Sequence, residues 1–266
     1  MSRFIDTGTD GHVHTRLCGH AKGEMEEYVL AALKKGLSGI VFLEHFETAV
    51  SYFETTWLSR DDFRVYQEEL QRLQEKYDGR IAIGIGVEAG YNPDRIKEIK
   101  SFLKTFSWDR IGLSYHYLKL EDGRHVNMVS GKAVNIEQLA ERGAGRVIEE
   151  YLTGLLEAVK QLDADVVCHL DAVMRHNQGA VFSQSHYDLV LAIFRVMAEK
   201  EMALEINTSG YPLRGTPYPA PEIISMALDM GIRLAPGSDA HKPRDVGRCF
   251  EKLPGFLQEI SNPIQP

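Results

Sequence analysis

Seven short apolar runs set the rhythm of this chain, each closing on polar residues and most followed by an amphipathic stretch. The runs cover residues 9–14, 38–44, 81–88, 110–115, 165–169, 203–207 and 233–238. Two are apolar almost throughout, Gly39-Ile-Val-Phe-Leu43 and Ile81-Ala-Ile-Gly-Ile-Gly-Val87. Strands buried on both faces look like this, as in a parallel sheet covered by helices, because neither face meets water. The stretches between them carry helical spacing. Residues 24–35 place Tyr28, Ala31, Ala32 and Lys35 three and four apart, with Gly36 as the C-cap. Residues 61–77 carry Phe63, Tyr66, Leu70 and Leu73 and stop at Asp78-Gly79. Further helices are expected over 93–106, where proline sits in the first turn, and over 136–162, with a break near Gly143-Ala-Gly145. Helices over 183–200 and 220–230 and a short piece after Arg244 complete the set.

Strands alternating with helices predict βαβ units. Seven units predict an α/β barrel of TIM-like type, closed or nearly closed and one strand short of eight. An open doubly wound sheet is the competing architecture. The barrel is preferred because ligand-type residues follow almost every run, and only a barrel gathers all strand C-termini on one face. No low-complexity or linker-like stretch divides the chain, so residues 1–266 are expected to form a single domain.

Composition narrows the partners. With 266 residues, 44% hydrophobic and 26% charged, the chain is ordinary for a soluble domain. A net charge of −8 without any basic run argues against nucleic acid as a partner. No apolar run reaches a membrane span and the N-terminus lacks a secretory h-region. The three cysteines are odd in number and form no CxxC, which suits reduced thiols in the cytoplasm. The sequence carries no signature of an oligomeric state.

The chemistry gathers at the run ends. His12, His14, His20, His45, His116, His169 and His241 all lie there or just beyond, with Glu88 and Asp239; only His125, His176 and His186 fall elsewhere. His12 and His14, two apart on a strand, share a face and can grip one ion. Asp10 has the same parity and is expected to support a histidine from behind. Asp239 and His241 share a face in the same way. Glu88 ends an apolar run, where an unpaired carboxylate is costly. Taken singly, His20, His45, His116 and His169 read more readily as structural residues than as ligands; their joint placement with the His12–His14 pair predicts a multi-metal site. Gly84-Ile-Gly-Val-Glu88 and Gly143-Ala-Gly145 do not fit a nucleotide-binding loop.

The order HxH…H…EH…E…SxH…H…SDAH resembles the polymerase-and-histidinol-phosphatase (PHP) superfamily, from Asp10 to about Phe250. Within it the chain is most similar to histidinol-phosphate phosphatases. The fragments that carry this are Asp10-Gly-His-Val-His-Thr15, Cys18-Gly-His20, His169-Leu-Asp171, Glu205-Ile-Asn-Thr-Ser-Gly210 and Gly237-Ser-Asp-Ala-His-Lys-Pro243. The resemblance implies a distorted (β/α)7 barrel and three divalent metal ions. One would be held by His12, His14, Glu88 and Asp239. A second would share Glu88 and add His116 and His169. The third would use His20, His45 and His241. Glu44 and Gly19 stand where relatives often have Asp and Pro; neither belongs to the ligand set.

The resemblance also implies an activity: a hydroxide bridging the metal ions hydrolyses a small phosphate monoester, with Glu88, Asp239 and His241 as catalytic residues. The expected substrate is L-histidinol phosphate, giving L-histidinol and phosphate in histidine biosynthesis. An imidazole-rich donor set favours Zn, Mn or Fe over Mg or Ca. Arg175 and Arg214 are expected to grip phosphate through paired hydrogen bonds. Tyr117 and His176, with Tyr115, are candidates for framing an imidazole or aromatic group, and Asp171 for protonating the leaving oxygen. The alternatives are a related phosphoesterase acting on a nucleotide or phosphotyrosine, and a non-catalytic metal-binding regulatory protein.

Overall fold

In the computed structural model, which describes residues 5–177 and 179–261, the strands in chain order are β1 (Thr9–Val13), β2 (Gly39–Phe46), β3 (Ala82–Gly90), β4 (Arg110–Ser114), β5 (Tyr117–Lys119), β6 (His125–Asn127), β7 (Val166–Val167), β8 (Ala203–Asn207) and β9 (Leu234–Gly237). The ends of the expected 1–266 domain lie outside the described residues. All strands but β5 and β6 form one parallel sheet in the order β1-β2-β3-β4-β7-β8-β9, while β5 and β6 pair as an antiparallel hairpin. The helices are α1 (Met25–Lys34), α2 (Arg60–Lys76), α3 (Ile96–Leu103), α4 (Ala133–Arg142), α5 (Ala144–Gln161), α6 (Gln184–Glu199), α7 (Tyr211–Arg214), α8 (Pro221–Asp229) and α9 (Leu253–Ser261).

The sheet curls until its edges meet just past β9. Val13 bridges Ala240, His14 N–H donates to Ala240 O at 2.9 Å, and Asp239 N–H donates to His12 O at 2.9 Å. The result is the expected seven-stranded, nearly closed barrel wrapped by helices. Small apolar side chains fill its interior: Val41, Leu43, Val166, Cys168 and Ala203, with Ala235 against them. Leu43 needs two glycines beside it. A Cβ at Gly112 would lie 2.6 Å from Leu43 Cδ2, and one at Gly86 would lie 2.5 Å from Leu43 Cδ1. The larger aromatic core lies between sheet and helices, where Phe46 stacks on Phe102 at 3.6 Å and Phe63 meets Phe102 edge-on at 4.9 Å.

Several expectations shift in detail. The long helical stretch breaks where expected, into two helices meeting at Gly143, whose φ of 88° no helix interior accepts, and it begins three residues earlier, at Ala133. The strand expected over 165–169 shortens to Val166–Val167 because His169 takes φ 27° and turns out of the pleat. The β5–β6 hairpin carries no strong apolar alternation and was not anticipated. Among the described residues, no helix is long and apolar enough to cross a membrane.

Asp10 corrects the parity reading. β1 carries a register shift between Asp10 and Val13, so Asp10 does not share the histidine face. Its buried carboxylate instead accepts backbone N–H groups from Ser238 at 2.9 Å and Gly247 at 2.6 Å, with His12 N–H at 3.3 Å. It therefore seals the β1–β9 seam.

Two predictions follow from these ties. Asp10→Ala strands buried N–H groups and is expected to destabilise the fold by about 2–4 kcal/mol, read as a lower urea midpoint with unchanged m-value. On the surface, Glu26 of α1 accepts from Lys76 and Arg72 of α2 and from Tyr77 just beyond it, and these donors hold its carboxyl down at about 2 from an ordinary 4.5. A depressed carboxylate stabilises the fold above its unfolded pKa and loses that contribution as pH falls through the folded one. Glu26→Gln should thus flatten the fall in stability between about pH 4.5 and 2, measured by urea titration across that window.

Candidate metal centre

Each strand end delivers its polar residues to one mouth of the barrel. Glu88, on β3 beside His45 of β2 in register, is the hub. Its Oε1 faces His169 Nε2 at 2.8 Å and His116 Nε2 at 3.3 Å. Its Oε2 faces His45 Nδ1 at 2.8 Å, His12 Nε2 at 3.5 Å and His14 Nε2 at 3.7 Å. Asp239 Oδ1 lies 3.3 Å from His14 Nε2 and 3.5 Å from His241 Nδ1. His20 and His241 oppose each other, Nε2 to Nε2, at 2.8 Å. Asp239 and His241 meet through a turn, since Asp239 adopts φ 51° past the end of β9, rather than through the strand pleat expected of them.

All nine residues expected to hold metal are brought together. Close donor sets are His12–His14–Asp239, His45–Glu88–His116 and His14–His45–His241. His45 thus sits against Glu88 as well as the His20–His241 side. Cys18 joins His20 and His241 within the same reach.

Three carboxylates stand behind the cluster, and two of them turn imidazoles inward. Glu205 Oε1 lies 2.6 Å from His12 Nδ1, and Glu47 Oε1 lies 2.8 Å from His116 Nδ1. Glu44 approaches His14 Nδ1 at 3.8 Å while accepting from Thr15 N–H at 2.7 Å. An Nδ1–H held by a carboxylate leaves Nε2 as a lone-pair donor. Glu205 and Glu47 escaped the sequence reading. The signal for Glu205 was present: it is a carboxylate inside the apolar run Ala203-Leu-Glu-Ile-Asn207, the situation that singled out Glu88.

The charges call for cations at the centre. Glu44, Glu47, Glu88, Glu205 and Asp239 are all buried. Burial would raise the Glu88 carboxyl, but His116, His45 and His12 outweigh it and hold it well below the ordinary value. Burial would likewise raise Asp239, and His14, His241 and Arg175 reverse that. The carboxylates overcome burial at His12 and push His116 up to about 10. Burial and the neighbouring His14 drive His45 well down and His241 to about 3. The imidazoles cannot all take protons side by side, so protons alone satisfy this cluster poorly. His14 Nδ1 and His169 Nδ1 are also buried without a hydrogen-bond partner, and Glu88 Oε2, though 2.8 Å from His45 Nδ1, has no donor aligned on it. A mixed imidazole–carboxylate set of this kind fits divalent transition ions.

Residues 10–209 match the PHP domain family. The chain belongs to that family. A PHP relative from Deinococcus radiodurans, described as a "Probable histidinol-phosphatase", is 32% identical over 256 residues, spanning 94% of this chain and 93% of its own. Two solved structures share the fold. The hisK protein of Listeria monocytogenes gives a TM-score of 0.83 at 23% identity, covering 92% of this chain and 99% of that one. The histidinol phosphate phosphatase of Lactococcus lactis, solved with zinc, L-histidinol and phosphate, gives 0.78 at 22% identity, covering 95% of this chain and 93% of that one.

Beside the PHP centre opens a cavity of about 380 Å3, lined by His20, His45, His116, His169, Asp239 and His241 on the metal side. Arg175, Tyr117 and His176 line it as well. Arg175 Nη2 reaches Ser209 Oγ at 2.9 Å and Asp239 Oδ2 at 3.3 Å, which aims the guanidinium at the cluster. Tyr117 shares a hydrogen bond with Thr56 Oγ1 at 3.0 Å.

Three other residues depart from expectation. Arg214 is held outside this lining: it donates to Asp171 Oδ2 at 3.1 Å, stacks 3.9 Å from the Tyr218 ring, and borders a separate cavity. Asp171 is engaged by Arg214 and by Ala220 N–H at 2.9 Å, so it does not face the cluster as an acid would. Tyr115 packs outward against Tyr91 and Tyr151.

Glu205→Ala removes the group that orients His12. Loss of such a supporting carboxylate is expected to weaken metal affinity about 10–100-fold, read by metal titration of the purified variant against the unaltered chain.

Proposed function

We propose that this chain is a metal-dependent phosphoric monoester hydrolase whose substrate is L-histidinol phosphate. The observation that carries the reading is the convergence of seven histidines, Glu88 and Asp239 on one barrel mouth, next to a cavity that also holds Arg175. Kinship with proteins named histidinol-phosphatase supports the substrate. The zinc-bound relative supports a transition metal in the centre. Three ions of Zn, Mn or Fe are proposed: one on His12, His14, Glu88 and Asp239, one on Glu88, His116 and His169, and one on His20, His45 and His241. The three unpaired thiols accord with a reducing, cytoplasmic setting, and residues 1–266 are proposed to act as a single unit.

Divalent ions, when bound, supply Lewis acidity towards phosphoryl oxygens and water. The chain's own residues do the rest. Glu88 presents one oxygen to each half of the cluster and holds the halves together. Asp239 ties the His14 side to Arg175. Arg175 offers a planar fork of N–H donors for the phosphate, a geometry that a lysine cannot reproduce. Tyr117 and His176 wall the far side, where the alcohol portion is placed and part of its water shell excluded.

The test is phosphate release from L-histidinol phosphate by the metal-loaded protein. Turnover that vanishes on chelation and returns on adding metal is expected. Arg175→Ala should lower kcat/KM by about tenfold or more while bound metal stays full. Efficient cleavage of other esters with histidinol phosphate untouched would overturn the substrate, and full metal without turnover of any ester would overturn the enzyme.

A further inference from the structure

The cavity is larger than a phosphate needs, and part of its lining has a chemistry of its own. Glu47 lines it just past the end of β2, against His116. The residue is 6% exposed. One oxygen accepts from His116, but Oε2 is buried with no hydrogen-bond partner. The chain makes room for this carboxylate, since a Cβ at Gly90 would overlap it. The nearby ammonium of Lys132 is paired with Glu54 and leans over Phe53 at 5.2 Å. Tyr52 and Tyr117, their rings 5.1 Å apart and edge-on, form an aromatic wall of the same cavity. A buried carboxylate with an unmet acceptor beside aromatic rings is a receptor for a cation.

We infer that Glu47 reads a protonated amine on the alcohol portion of the substrate, holding it against the wall formed by Tyr52 and Tyr117. This rests on the phosphate end binding at the metal centre beside Arg175, as proposed above. It makes Glu47 a specificity-determining residue: the site selects phosphate esters of amino alcohols over neutral ones.

The test uses metal-loaded protein and two non-hydrolysable probes of matched length, 3-aminopropylphosphonate and butylphosphonate, with dissociation constants from calorimetry. The readout is the ratio of the two constants, which a general weakening of the centre leaves unchanged. The unaltered chain is expected to bind the amine about tenfold or more tightly. Glu47→Gln, which keeps the acceptor for His116 but removes the charge, should bring the ratio close to one. Should that variant fail to fold, Glu47→Asp, which keeps the charge but draws it back, should still lower the ratio. An unaltered chain indifferent to the amine, or a ratio that survives in the folded variant, overturns the inference; a common loss for both probes would reduce Glu47 to a support for His116. The experiment also separates the two readings. Absent turnover of histidinol phosphate with a Glu47-dependent amine preference would sink the substrate and leave this inference standing, and the converse result would do the opposite.

Discussion

A carboxylate buried among imidazoles is the constraint around which the barrel is organised. Glu88 is 1% exposed, where an unanswered charge would cost several kcal/mol. Its answer comes from five histidines on four different strand ends, three within 3.7 Å of one oxygen and two within 3.3 Å of the other. No local segment could supply that shell. Only a closed ring of strands places β1, β2, β4 and β7 around the end of β3 at once. The small interior side chains, the glycines beside Leu43 and the Asp10 seam between β1 and β9 all keep that ring at the radius the cluster requires.

The carboxylates form two tiers with different tasks. Glu88 and Asp239 face the centre. Glu205, Glu47 and Glu44 stand behind the histidines, and Glu205 and Glu47 turn the rings they hold, which decides which ring nitrogen is free to bind. This separation lets a cluster rich in neutral imidazole carry enough negative charge to hold cations while still attracting a phosphate dianion. Arg175 links the tiers to the cavity, since its guanidinium rests on Asp239 and Ser209 with the Tyr218 ring beneath it at 5.2 Å. Arg214 lies near the same ring but spends its donors on Asp171 and Pro217. Two arginines that look equivalent in the sequence thereby acquire different surroundings.

Much of this was legible before any coordinates. Seven apolar runs with helices between them left a barrel or an open sheet, and the ligand residues at the run ends favoured the barrel, whose strand C-termini share one face. The nine centre residues were legible because imidazoles and carboxylates at strand ends share one face of such a barrel. Fine geometry was not. The register shift in β1 turned Asp10 away from the histidines, and the left-handed residues His169 and Asp239 ended their strands early. Parity holds only where the pleat is regular, and a shift or a positive φ leaves little trace in residue type.

What the sequence determined by itself was the alternation of strands and helices and the placing of metal-ligand residues at strand ends, since both follow from residue types repeated at local spacing. Tertiary structure alone decided which carboxylate serves which histidine, which arginine faces the cavity and where an unmet acceptor remains. Those outcomes depend on contacts between residues far apart in the chain, as Glu205 is from His12 or Glu47 from His116. Such contacts exist only after the chain has closed on itself, and no spacing along the sequence encodes them.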